Sequence, residues 1–317
     1  MPLPEIRLVM PVIFKHLQAN QKATLELETG VQMTARRYQT VALVTGFWRP
    51  GENYHERIIE ALKNKIQEGD VVTVSEKAIS TATGNLVDEK PIKASAAARF
   101  LARYWMRMAW AHILGTLCHL RSKTIARFRN YPSEEGSKHK QLVLERAGLL
   151  QALMHGSEGG IDGSNVPYSY VSIPLRDHKR IAEQIRERIR TELRINVTVM
   201  IVDTDKTYSY RNFHFTPRPN PIQGIQSCGG VFAYVFGRFF RLETRSTPIA
   251  LSGSEMSTET ALQIAETANR TRGYGAGRNV WDMAETFHVH LTEVTWKMLE
   301  EIEHKPIVIV RLKRKNT

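Results

Sequence analysis

Two aspartates in unlike settings, Asp162 and Asp203, are the residues of this 317-residue chain best placed to do chemistry. Asp203 closes the run VTVMIVDT (197–204), whose apolar character reads as a strand buried on both faces. In α/β sheets ligands collect beyond the carboxyl ends of the strands. Thr204 adds a hydroxyl and a carbonyl there, hard oxygen donors suited to magnesium. Asp162 lies in GSEGGIDGSNV (156–166), where glycines let the backbone come close to a ligand and Asp162 and Asn165 offer oxygens. Mg²⁺ takes one or two carboxylates and completes its shell with water and substrate phosphate, a need that two aspartates on separate loops would meet. Each feature also has an ordinary reading. A strand-end Asp often caps the next turn, a role open to Asp205 as well, and glycines make plain turns.

The segment RGYGAGR (272–278) could cradle phosphate through the backbone N–H groups around Gly273, Tyr274, Gly275 and Gly277, flanked by Arg272 and Arg278. It follows a helix and lacks the GxGxxG spacing, which excludes a dinucleotide fingerprint; a helix C-terminal loop explains it equally well. His288 and His290 in FHVHL would point the same way on a strand, but without a third ligand they read as structural. There is no Gly-x-Ser-x-Gly elbow, and neither Cys118 nor Cys228 sits in a catalytic setting. Their wide separation excludes a disulfide scaffold or zinc ribbon and fits a reducing cytoplasm. Lys and Arg number 44 against 32 Asp and Glu, a formal charge of +12 that suits a polyanionic partner or simply a solvated basic surface. The N-terminus lacks the pattern of a signal peptide, and the uncharged run 108–120 is too short to span a bilayer, so no membrane is expected.

The elements that must position these residues alternate in the manner of an α/β domain. ATLELETG and QTVALVTGFW (within 22–48) read as strands, HERIIEALKNKI as an amphipathic helix, and DVVTVSEKAIS as a strand running into the loop STATGN. Residues 92–130 read as a long helix or helical pair divided near Gly115, with Arg99, Arg103 and Arg107 forming a basic stripe. Residues 131–141 read as a polar loop. Ile181, Ile185, Ile189 and Leu193 make the apolar row of a helix ending at Asn196. A strand pair is expected around GGVFAYVFGRFFRLE, a helix over STETALQIAETANRT, an acidic helix over LTEVTWKMLEEIEH and a final strand in IVIVRL.

Taken in order, GDVVTVSEKAISTATGNLVD (69–88), GGIDGSNV (159–166), the helix before VTVMIVDT and IAETANRTRGYGAG (264–277) resemble the coenzyme F420-0:L-glutamate ligase family. The resemblance implies a mixed α/β fold with mixed sheets and packed helices. It assigns residues 45–317 to a ligase-like domain with a helical insertion at about 92–150, preceded by a β-rich extension over residues 1–44. It implies Mg²⁺ or Mn²⁺ held by Asp162, Asp203 and Thr204, and GTP touched by Asn165, Glu76, Lys77, Thr81 and the stretch Arg272, Gly273, Tyr274, Gly275 and Gly277. The implied reaction activates the carboxylate of a phosphorylated small molecule as an acyl phosphate, which the amine of L-glutamate attacks. A homodimer is implied too. The chain departs from the family pattern at Tyr274, where a carboxylate is usual, and at Thr81, where lysine is common. Arg211 takes over one basic contact and, with Arg218, is the candidate substrate contact. The expected function is thus a nucleotide- and metal-dependent amide ligase of the cytoplasm. The rival reading is a member that lost catalysis and binds nucleotide or nucleic acid in a regulatory role; a third is a structural homodimer subunit.

Overall fold

The computed structural model describes residues 38–156 and 158–313. Contacts divide the chain into residues 40–310 and a second unit of residues 1–39 and 311–317. Of the second unit, residues 38, 39 and 311–313 are described, and they are strand up to Leu312. The strand expected at ATLELETG and all but the end of the expected extension over residues 1–44 lie outside the described residues.

The order is β1 (Tyr38–Thr45), α1 (Tyr54–Leu62), β2 (Val71–Ser75), α2 (Glu76–Ala82) and β3 (Leu86–Asp88). Helix α3 follows in three pieces, Ala96–Phe100, a π-helical run Leu101–Leu114, and Gly115–Leu117. Then come α4 (Ser122–Arg129), α5 (Ser133–Arg146), α6 (Leu149–Ala152), β4 (Tyr170–Ser172), α7 (His178–Leu193), β5 (Thr198–Tyr210), β6 (Phe213–Thr216) and β7 (Gln226–Ser227). The rest is α8 (Val231–Phe239), β8 (Glu243–Ser252), α9 (Thr258–Arg272), α10 (Val280–Phe287), α11 (Trp296–Glu300) and β9 (His304–Leu312). Among the described residues no helix is long and apolar enough to cross a membrane.

The main sheet is mixed, in the order β1-β9-β2-β5-β6-β7, with β8 also paired to β5. Strands β2 and β5 are parallel from Val71 opposite Thr198 to Ser75 opposite Val202. That register brings the residues just after Ser75 and Val202 to one edge of the sheet, which is where Glu76, Lys77 and Asp203 emerge. Between Asp203 and Lys206 the pairing of β5 with β8 slips, so Thr204 and Asp205 form a bulge that breaks the ladder and re-aims their side chains. Buried Val72, Val74, Ile201 and Ile309 of the sheet pack against Ile58 and Leu62 of α1 and Ile185 and Ile189 of α7.

Several local expectations change. The strand expected through residues 70–80 ends at Ser75 and the chain turns into α2, so Thr81 sits on a helix. Residues 133–146 are helical, not a loop. Pro132 stands at the N-cap with Glu134 and Glu135 in the first turn, and a face carrying Lys140, Leu142 and Val143 is buried. Its polar composition hid that stripe. The strand pair expected near residue 235 is α8, whose buried Val231, Ala233 and Gly237 face inward while the phenylalanines face out. Aromatic content suggested β structure, but helical spacing decided. The helical region divides at residues 118–121 rather than at Gly115. His288 is no strand residue; it caps α10 in the left-handed region with φ 56°. The acidic helix shrinks to Trp296–Glu300.

Candidate functional site

A cleft of ≈ 270 Å³ opens at the carboxyl edge of β2 and β5, under the loop 273–278 and beside the start of β9. Lys77, Thr81, Asn165, Asp203 and Thr204 line it, together with Arg272, Gly273, Tyr274, Gly275 and Gly277. Glu76, Asp162, Arg211 and Arg218 are not part of that lining, and each has a different place.

Arg218, 1% exposed, is a buried tie. Its Nε donates to Asp203 Oδ2 at 2.7 Å, its Nη2 to both oxygens of Glu76 at 2.8 and 2.7 Å, and its Nη1 to Gly159 O at 3.2 Å. Gly160 makes room for it. With φ at +88°, a Cβ there would stand 2.6 Å from Arg218 Cζ, so the turn can close on the guanidinium only as glycine. Glu76 also accepts from Leu175 N at 3.0 Å and lies 2.8 Å from His178 Nε2. Burial opposes charge on Glu76, but Arg218 and His178 outweigh it and hold the carboxyl at about 2. Asp203 goes the other way: burial and neighbouring Glu76 push it up more than Arg218 pulls it down. Arg211 lies instead in the β5–β6 turn, exposed, 5.6 Å from the ring of Tyr210.

Both oxygens of Asp162 are engaged. Lys77 Nζ and Ser164 Oγ donate to Oδ2, and Ser164 N donates to Oδ1 at 2.7 Å. Burial would raise its pKa; Lys77 and Ser164 together lower it. Lys77 also donates to Ser164 O at 3.0 Å. Asn165, left-handed at φ 56°, pins the neighbouring loop: its Oδ1 accepts from Ala276 N at 2.7 Å and its Nδ2 donates to Gly277 O at 2.9 Å and Tyr274 O at 3.3 Å. A Cβ on Gly275 would come within 2.6 Å of that Oδ1. The conformation is one that Asn tolerates better than most residues. Asn165 therefore positions the loop on which the phosphate reading depends.

The loop supplies positive charge that no carboxylate among the described residues pairs with. Arg272 Nη2 donates to Asn269 Oδ1 at 2.6 Å, and no carboxylate lies within ion-pair distance among the described residues. Burial depresses its pKa, with only a weak opposing pull from Asp203. Arg278 stacks over Tyr274 at 4.1 Å. Thr81 is buried, its hydroxyl donating to Lys77 O at 2.9 Å.

A second, larger cleft of ≈ 570 Å³ lies on the Asp162 side of the 159–165 segment. Asp162 and Gly163 line it, with α5, the residues leading into β4 and the start of α10. Its wall holds a buried charge cluster that the sequence did not reveal. Lys140 Nζ donates to Glu158 Oε1 at 2.7 Å and Met154 O at 2.6 Å. His139 lies between Glu89 at 2.7 Å and Glu158 at 3.5 Å. Burial would lower the His139 pKa, but the two carboxylates raise it to about 9. The signal was an i, i+1 pair of basic residues in a segment that reads as solvated.

No group of three or more His, Cys, Asp or Glu among the described residues is arranged to hold a metal by itself. Among the described residues, however, Asp203 Oδ1 has two long contacts, 3.4 Å from Asp205 N and 3.5 Å from Thr204 Oγ1. With Thr204 it fits one Mg²⁺ or Mn²⁺ that arrives with phosphate oxygens already bound. Asp162 fits as a further ligand only if Lys77 gives it up.

The family described as F420-0:Gamma-glutamyl ligase matches residues 43–274. An uncharacterized protein of Methanocaldococcus jannaschii is 36% identical over 281 residues, covering 85% of this chain and 94% of that protein. The coenzyme F420:L-glutamate ligase of Methanopyrus kandleri is 28% identical over 156 residues, 49% of this chain and 55% of that enzyme.

Proposed function

Because the chain belongs to the F420-0:gamma-glutamyl ligase family, we propose that its first cleft binds the phosphates of GTP and that the protein joins L-glutamate, or a similar amine, to the carboxylate of a phosphorylated cofactor such as coenzyme F420-0. The observation that carries this reading is Arg272. It is half-buried and has no carboxylate partner among the described residues, an arrangement that is costly unless an anion completes it. Arg278 and Lys77 border the same space, so a phosphate chain would meet several fixed charges at once.

The chemistry asks little of side chains beyond alignment and charge. A substrate carboxylate oxygen attacks the γ-phosphorus, the bond to the β–γ bridging oxygen breaks, and nucleoside diphosphate leaves. The amine nitrogen then attacks the acyl carbon, loses its proton, and inorganic phosphate departs with the electrons of the broken C–O bond. A divalent ion held at Asp203 and Thr204 would neutralise phosphate charge. Arg272, Arg278 and Lys77 supply the rest of the positive field, and the Asn165 clamp keeps the loop in place. The second cleft, across the Asp162 segment, is the natural seat for the partner substrate.

Isothermal titration with GTP and Mg²⁺ tests the reading. Arg272→Met should weaken binding by about tenfold to a hundredfold, the range expected for one charge-assisted contact of roughly 1.5–3 kcal/mol. Unchanged affinity in that variant would sink it.

A further inference from the structure

We propose that this protein docks peripherally on an anionic lipid surface, through a basic and aromatic face formed by α8 and the outer side of α3. Helix α8 leaves Phe232, Phe236 and Phe239 in solvent, and Phe240 follows it; Phe232 is 66% and Phe240 56% exposed. It lies flat against β5 because Gly237 has no side chain, a Cβ there falling 2.3 Å from the Tyr208 ring. Phe236, Phe239 and Phe240 form one exposed ring cluster, joined to Phe213 through the buried ring of Phe215. Phe236 is 4.7 Å from Phe240 and 6.0 Å from Phe215, which in turn is 5.8 Å from exposed Phe213.

Helix α3, linked to α8 at its end, carries a second row of exposed apolar side chains. Phe100, Tyr104, Met108, Ile113 and Leu117 are all exposed. Their steps of four and five residues match a π-helix, with its i→i+5 bonds and about 4.4 residues per turn, so they fall on one line. The two elements are tied at their ends, where Arg238 Nε donates to Cys118 O at 3.1 Å and Arg241 lies 3.5 Å from His119 Nδ1. Scattered apolar residues on a surface are ordinary, but a joined group of this kind marks a place of contact.

Charge indicates what covers it. No Asp or Glu occurs from Lys206 to Leu242 or from Lys93 to Ser133. Exposed Arg241 directly follows Phe240, exposed Arg211 lies two residues before Phe213, and exposed Arg99 and Arg103 directly precede Phe100 and Tyr104 in the chain. A second copy would press two basic faces together. A nucleic acid would use the rings and cations but gain nothing from Met108, Ile113 and Leu117. An anionic bilayer uses all of them: the apolar tips enter at headgroup level while the guanidiniums remain with lipid phosphate.

Co-sedimentation of the full chain with large vesicles tests this, comparing phosphatidylglycerol mixed into phosphatidylcholine with phosphatidylcholine alone over a salt series. Binding should require the anionic lipid and weaken with salt. Phe232→Ser combined with Phe236→Ser should lower the partition coefficient at least about tenfold, and Arg103→Gln with Arg241→Gln should do so by a similar factor. Melting temperature and GTP titration of the same variants should match the parent, which separates this proposal from the ligase reading. It is overturned by absence of vesicle binding, or by ring variants that bind as well as the parent. It is overturned equally if light scattering shows that the ring variants break a dimer, or mobility shifts that they lose single-stranded nucleic acid, while vesicles are ignored.

Discussion

Replacing Arg218 by methionine should cost the fold about 3–5 kcal/mol at neutral pH, because it strands two carboxylates that share one buried guanidinium. Arg218 and His178 together outweigh burial and hold Glu76 at about 2 against an ordinary 4.5, a net effect of roughly 3 kcal/mol at about 1.4 kcal/mol per pH unit. The sign follows from linkage. In the parent, a depressed carboxyl contributes stability that is present above the unfolded value of 4.5 and lost as pH falls towards 2. In the variant both carboxyls lose the pull of the guanidinium while burial still opposes their charge, so both bind protons more readily than in the parent. The gap between the two proteins should therefore narrow with falling pH. Urea unfolding at pH 7, 6 and 5 reads it directly. His178 and Leu175 N still reach Glu76 in both proteins and cancel in the difference. A neutral-pH loss below about 1 kcal/mol, or a gap independent of pH, would refute the claim that Arg218 is a structural tie between the two carboxylates.

Two further outcomes are expected. His139, raised to about 9 from 6.5, contributes stability that is complete below pH 6.5 and is lost as pH rises through 9, at most roughly 3 kcal/mol; chemical denaturation of the parent from pH 6 to 10 should show that fall, and His139→Gln should flatten it. Asn165→Ala removes the clamp on residues 274–277 and should weaken GTP binding by about tenfold while shifting the melting temperature by only a few degrees, since the lost hydrogen bonds lie partly in solvent. Titration calorimetry paired with a thermal melt separates the two effects.

The sequence by itself determined what local chemistry determines. The nearly continuous apolar run from Val197 to Val202, broken only by Thr198, made β5 a buried strand, the i, i+4 isoleucines made α7, and the order of the Asp162, Asp203 and Arg272 segments carried the family. It did not determine α5 or α8. The stripe of α5 is closed by a lysine, Lys140, whose burial depends on Glu158 arriving from another segment. The aromatic face of α8 is turned outward by the packing of Gly237 on Tyr208. The pairing within the site was likewise beyond reach. Spacing along the chain put Asp162 and Asp203 forward as partners, whereas the folded chain gives Lys77 to one and Arg218 to the other. Gly160 cradles a guanidinium 58 positions away in sequence, Arg218, and not a ligand. Periodicity reports a residue's own surroundings along the chain. Which buried charge neutralises which is settled only when distant segments meet in a medium of low dielectric, where an unpartnered charge is too costly to leave.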